Sequence, residues 1–179
     1  MRILSLYLAT SLDGKIVGRD DDHGWLFHDQ DYGFSEFIAD VDTLVMGRKT
    51  YEQALAFSAD WPFTDKRSIV FTRNNELQPI EQVEVTRDDP VTVVRGLKGE
   101  TGGKIWLFGG AEFAKPLLDA GLIDELVLAI HPVVLGSGRP LFSEHPERWF
   151  ELAGVESFPT GLVSLTYRYN PARRRPPQK

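Results

Sequence analysis

The sequence predicts an α/β protein: a mixed, mostly parallel sheet with helices on both faces and an antiparallel hairpin at its C-terminal end. Three observations carry this. Short apolar runs that suit strands buried on both faces, such as Thr43-Leu44-Val45-Met46 and Lys104-Ile105-Trp106-Leu107-Phe108, alternate with stretches of helical periodicity. Two of these runs end on glycine where a helix begins, at Gly47 and at Gly109-Gly110. The last two strand-like runs, 149–157 and 162–169, alternate in polarity across a Pro159-Thr160-Gly161 turn. Strands that alternate with helices need crossover connections, and these place helices on both faces of one sheet.

In chain order, Arg2 to Ala9 reads as a strand, followed by a turn over Thr10 to Ile16 built on Asp13-Gly14. Val17 to Gly24 is polar and Gly/Asp-rich, hence a surface loop. Asp29 or Asp31 is placed to cap a helix running to about Asp40, with Phe34, Phe37, Ile38 and Val41 on its inner face. The Thr43–Met46 strand and a helix from Arg48 follow, then a loop from Phe57 to Asp65. Arg67 to Thr72 is a strand stopped by Arg73-Asn74-Asn75, and Gln82 to Thr86 a short one. Asp89 and Pro90 open a helix to Leu97, and Glu100 to Gly103 is a turn. Ala111 to Ala120 follows the glycine pair as a helix with Phe113, Leu117 and Leu118 on one face and Gly121 as its stop. Leu122 to Val134 reads as a long strand broken near Pro132, and Leu135 to Pro140 as a loop. One domain is expected over residues 1–170, and Pro171 to Lys179 reads as a basic, Pro-rich, disordered tail.

A length of 179 residues and 42% hydrophobic content suit one folded domain with a sizeable core. A net charge of −6 argues against general nucleic-acid binding, so functional cations should be local. The absence of cysteine excludes disulfides and thiolate metal sites, and the four histidines form no convincing ligand set, so no metal is expected. Arg2 leads straight into a strand-like run, and no apolar stretch approaches a membrane span, so a cytoplasmic protein with no membrane partner is expected. At the glycine-ended strands, a helix N-terminus offers unpaired N–H groups, and Arg48, Lys49 and Thr50 add two cations and a hydroxyl, which suits a phosphate. The same residues also fit a plain strand-to-helix turn with solvated cations. Neither unit matches GxGxxG or GxxxxGK[ST].

Taken together and in order, LVMGRKTYE, RSIVFTRN, KIWLFGGAEF and LIDELVLAIHPVVLGSGRPLF resemble the dihydrofolate reductase-like fold. They are most similar to the reductase (C-terminal) domain of the bifunctional riboflavin-biosynthesis deaminase/reductase and its stand-alone relatives. The opening ATSLDGKI matches as well, and the resemblance covers about Met1 to Tyr169. No deaminase HxE…CxxC signature is present. The resemblance implies a three-layer fold, NADPH as cofactor and a homodimer, for which the apolar Leu122–Val134 strand offers a sheet edge. It implies that Gly47, Arg48, Lys49 and Thr50 hold the cofactor's phosphates, and that Thr72 and Arg73 meet the 2′-phosphate. Gly109, Gly110, Ala111, Glu112 and Phe113 take the pyrophosphate and nicotinamide side, and Ala9 and Ile16 touch the nicotinamide. On the substrate side Asp31 is the nearest match to the acid that assists protonation, with Asp29 and Glu36 as rivals and a simple helix cap as the other reading. Asp13 reads as a turn former at the mouth of the site. The activity implied is NADPH-dependent hydride transfer to a small pyrimidine- or pteridine-like substrate, as in 5-amino-6-(5-phosphoribosylamino)uracil reductases. The alternatives are dihydrofolate reduction proper, or a nucleotide-binding module without turnover.

Overall fold

The computed structural model describes residues 1–58 and 60–173. Its ten strands and four α-helices run β1 (Leu4–Ser11), β2 (Lys15–Val17), α1 (Phe34–Ala39), β3 (Val41–Gly47), α2 (Arg48–Phe57), β4 (Arg67–Phe71), β5 (Val83–Thr86), α3 (Pro90–Gly99), β6 (Lys104–Gly109), α4 (Ala111–Asp119), β7 (Glu125–His131), β8 (Arg139–Pro140), β9 (Phe150–Ser157) and β10 (Val163–Tyr169). Eight strands form one sheet in the order β5-β4-β3-β6-β1-β7-β10-β9, and β2 pairs with β8 as a two-stranded flap. Every pairing from β5 across to β7 is parallel, whereas β10 is antiparallel to both neighbours.

The sheet separates two apolar layers. Leu4 and Leu6 of β1, Ile105 and Leu107 of β6, and Val45 of β3 pack under α3 and α4 through Val94, Leu97, Phe113 and Leu117. Leu44, Met46, Val70 and Trp106 pack on the other face under Phe37 of α1 and Tyr51 of α2. Leu44, Val45 and Met46 are fully buried because helices cover both faces, which is why this stretch reads as an unbroken apolar run. Asp89 caps α3 through its carboxylate, which accepts from the Thr92 N–H at 2.9 Å, and Pro90 occupies the first turn, where an N–H would have no partner. Gly121, at φ 66°, ends α4 in the left-handed conformation.

Several expectations are corrected. The first strand lies at Leu4–Ser11, shifted two residues from the run read in the sequence. Val41 opens β3 instead of closing the inner face of α1, and that helix is only six residues long. Lys15–Val17 and Arg139–Pro140, expected as turn and loop, pair with each other, and the 17–24 loop contains a 3-10 turn at Arg19–Asp21. Such short segments have no periodicity to detect. The strand expected over Leu122–Val134 is only Glu125–His131, and it lies inside the sheet between β1 and β10. It offers no edge to a partner, because β10 returns to cover it. In the expected tail, Pro171–Arg173 begins with a turn, and 174–179 lie outside the described residues.

Candidate active site

The site grows from the C-terminal ends of four neighbouring parallel strands, β4, β3, β6 and β1. At about 4.8 Å per strand, the line from Arg73 past β4 to Ala9 of β1 spans roughly 15 Å. Between its ends the sheet carries helix α2 on one face and α4 on the other, both starting at this rim. Open α/β sheets bind ligands in such a crevice, where connections diverge to opposite faces.

Gly47 ends β3 and is the N-cap of α2, and Gly110 is the N-cap of α4; neither helix start is capped by a side chain. Their first-turn N–H groups are therefore available to an anion. Gly109 and Gly110 have φ of 141° and 91°, conformations that side chains rarely adopt. A Cβ built on Gly110 would stand 3.4 Å from the Thr50 hydroxyl oxygen, and one on Gly47 would stand 3.3 Å from the Phe113 Cβ. The two helix starts thus meet around the bare backbone of Gly47, Gly109 and Gly110. Phe113 packs beneath them against Phe71, at 4.8 Å between ring centres.

Both cations of the first α2 turn are paired, Lys49 exposed and Arg48 half-buried. Arg48 meets Glu52 at 3.0 Å one turn along, and Lys49 meets Glu112 at 3.3 Å across the crevice. Surface pairs of this kind are worth little and open readily to an anion. Ala111 opens α4 beside Glu112. Thr72 is buried just past β4; its hydroxyl accepts from the Asn74 N–H at 3.0 Å and shapes the turn that displays Arg73. Arg73 is exposed, and no hydrogen bond or ion pair holds it among the described residues. Sequence reasoning missed Arg87, which donates from Nη2 to the Asn74 and Asn75 carbonyls at 3.4 and 3.1 Å. It stands at the end of β5, the next strand, so this rim position was a signal available in the sequence.

Ala9 lies on the α1 face of β1, two residues beyond Tyr7 and opposite Ala129 of β7. Ile16 sits half-buried in the flap. Asp13 ties that flap down: its carboxylate accepts from the Ser11 hydroxyl at 2.7 Å and from the Leu135 and Gly136 N–H groups at 3.0 and 2.9 Å. These bonds, the Ser11 one foremost, lower its pKa to about 2. Asp13 is a clamp between two loops as well as a turn former.

Asp31 does not join the crevice rim. Its carboxylate accepts from the Ser35 hydroxyl at 2.6 Å and the Ser35 N–H at 3.0 Å, and these bonds hold its pKa below the usual value. It caps the first turn of α1, although Gly33 is the formal N-cap. Of its rivals, Asp29 accepts from the Tyr32 hydroxyl at 2.7 Å, and Glu36 lies in the first turn of α1. Tyr7 was also missed. Its ring packs against Phe37 at 4.6 Å, and burial, with the charges of Asp31 and Glu156, raises its pKa. No three His, Asp or Glu converge for a metal among the described residues.

His131 fastens the covering loop, residues 18–33 between β2 and α1, whose Phe27 and Tyr32 pack over Ala129 of β7 and Leu162. Its Nδ1 lies 3.1 Å from the Ala129 carbonyl, and its Nε2 accepts from the Phe27 N–H at 3.1 Å, so the ring is neutral with the proton on Nδ1. Burial, with His28 nearby, lowers its pKa. The unfolded chain therefore binds this proton first as pH falls. The stabilisation is complete above about pH 6.5, the ordinary histidine value, and is lost on acidification through the window just below it. The Phe27 amide, followed by NMR, is expected to lose exchange protection in that window. A His131→Phe protein should lack this step; the same step in the variant would show that another group is responsible.

The order of the strands, the two glycine-bearing helix starts and the crevice between them define the dihydrofolate reductase-like fold class. The chain belongs to the RibD C-terminal domain family, whose sequence model matches residues 2–164. It is 35% identical to the protein YyaP of Bacillus subtilis over 182 residues, 94% of this chain and 96% of that one. It is similar in structure to a putative riboflavin biosynthesis protein from Shewanella sp. PV-4, with TM-score 0.81, 28% identity and coverage of 94% and 99% of the two chains. A dihydrofolate reductase from Enterococcus faecalis, solved with NADP(H), shares the fold at TM-score 0.66 and 22% identity, covering 94% of this chain and 96% of that one. Among the solved structures that share the fold, the Enterococcus enzyme and a deaminase/reductase from Thermotoga maritima (TM-score 0.73, 19% identity, 94% of this chain and 57% of that one) are named as reductases. No helix among the described residues is long and apolar enough to cross a membrane.

Proposed function

We propose that this protein is an NADPH-dependent reductase of pyrimidine- or pteridine-like small molecules. The observation that carries the reading is the rim itself: two uncapped helix starts and the bare Gly109-Gly110 backbone, with the unpaired Arg73 at one end. Bare backbone, N–H donors and cations in one line suit a dinucleotide with an additional phosphate. Gly47 to Thr50 and Gly109 to Phe113 would hold the pyrophosphate region, Thr72 and Arg73 the 2′-phosphate, and Ala9 and Ile16 the nicotinamide. The cofactor supplies hydride, and the chain positions both partners and excludes water. Mixing the protein with NADPH and a panel of pyrimidines and pterins, while following absorbance of the reduced nicotinamide, tests the reading. Binding of NADPH without oxidation by any candidate would favour a module without turnover.

Asp31 is the proposed acid of the substrate side. Held ionised by Ser35, it acts by orienting a water or an N–H of the substrate rather than by giving up its own proton. Asp31→Asn should keep the cap, because asparagine caps as well as aspartate, and should leave NADPH affinity unchanged. Turnover is expected to fall roughly 10²-fold or more. Unchanged turnover would reduce Asp31 to a cap.

We also propose a homodimer formed through β9, the outer strand of the sheet. Leu152 and Val155 are 55% and 60% exposed there, and a bulge between their pairings brings both onto one face, opposite Tyr167 and Leu165. Light scattering at micromolar concentration should give twice the chain mass, and Val155→Lys should give the monomer. A monomeric parent protein would refute this.

A further inference from the structure

The two halves of the crevice differ in charge. Arg73 and Arg87 stand on the cofactor side with no acid paired to them among the described residues, and Arg48 and Lys49 stand there paired with Glu52 and Glu112, whereas residues 20–36, most of the covering loop and the first turn of α1, hold six acids and no Lys or Arg. Beneath them, one row across the sheet runs Ala9, Ala129, Ser164 and ends in Glu156. The neighbouring row begins at Tyr7, whose ring packs against Phe34, Phe37 and Trp106. Its hydroxyl has no hydrogen-bond partner among the described residues. Glu156 also approaches the Gly33 turn, its Oε2 lying 3.7 Å from where a Gly33 Cβ would stand. Of the cations on the covering unit, Arg139 is taken by Asp21 at 2.7 Å, and Arg19 is followed directly by three aspartates, which leaves Lys15.

Resting on the reading of the other half as the cofactor side, we infer that this half takes a flat heterocycle that carries no phosphate and presents N–H donors to Tyr7 and the carboxylates around it. A phosphate dianion needs several cations or N–H donors to offset its lost hydration, and here it would meet carboxylates. An aromatic wall and a floor of small side chains instead match a planar ring lying on the sheet. The charge pattern works by repelling the wrong substrate as well as by fitting the right one. The phosphoribosyl aminouracil is thereby disfavoured as the substrate.

The test is a matched pair: an aminopyrimidine bearing a ribityl chain, and the same compound with a terminal phosphate. Each is titrated into the protein by calorimetry, with and without saturating NADPH. The unphosphorylated compound should bind at least about tenfold tighter, and the gap should shrink as salt rises, because screening weakens the repulsion. Glu156→Lys should narrow it further at low salt. Equal or tighter binding of the phosphorylated compound would overturn the inference, as would failure of both to bind at millimolar concentration. NADPH titrated alone reports on the cofactor half. If it does not bind, that reading fails, while the pair measured without NADPH still decides this one.

Discussion

Gly110→Val is expected to abolish NADPH binding in a protein that still folds. The position has φ 91° and ψ 106°, and its Cβ would stand 3.4 Å from the Thr50 hydroxyl and 3.5 Å from the Phe113 Cβ. A branched side chain would therefore project into the space where the starts of α2 and α4 converge. The backbone strain costs about 1–3 kcal/mol, well within the stability of an ordinary domain, about 5–15 kcal/mol. Circular dichroism should report a folded protein, and calorimetry should detect no NADPH binding. Gly110→Ala, with less bulk, should bind weakly. If the valine protein binds within a few-fold of the parent, the glycine pair is only a turn.

Arg73→Ala should weaken NADPH by about ten- to a hundredfold and leave NADH nearly unchanged. A charge-assisted contact to phosphate contributes roughly 1.5–3 kcal/mol, and each 1.4 kcal/mol is tenfold. Only NADPH has the 2′-phosphate, so the loss must be selective. The fold displays Arg73 at the rim because Thr72 shapes its turn and Arg87 holds the Asn74 and Asn75 carbonyls from the other side. Equal loss for both cofactors would refute the assignment and move the 2′-phosphate to another rim position.

Much of this arrangement was legible because burial leaves a strong mark on sequence. A strand covered on both faces must be apolar throughout, and Leu44-Val45-Met46 could hardly be read otherwise. Helix starts carry chemical signals, such as Asp89 before Pro90, and glycine pairs mark close approach. The flap was not legible, since Lys15–Val17 and Arg139–Pro140 are too short for periodicity and pair across more than a hundred residues. The end of β7 was misplaced because Pro132 and Val133 continue the apolar run, while His131 already turns to the covering loop. Tyr7 was hidden for a different reason. An aromatic residue on a central strand reads as core, and only the nearby charges of Asp31 and Glu156 set Tyr7 apart from the rest of its layer.

The place of β1 between β6 and β7 has a consequence for how the protein is made. Leu4 pairs opposite Ile105 and Ser5 opposite Glu125, so the first strand to leave the ribosome is among the last to find both of its neighbours. Until β6 emerges, more than ninety residues after the end of β1, β3, β4 and β5 can assemble only into a partial sheet whose β3 edge is open. Such distant pairing slows folding and leaves strand edges exposed to wrong partners in the meantime. Fragments ending before β6 should therefore associate rather than fold, and the chain should acquire resistance to proteases in one late step, when β10 closes over β7.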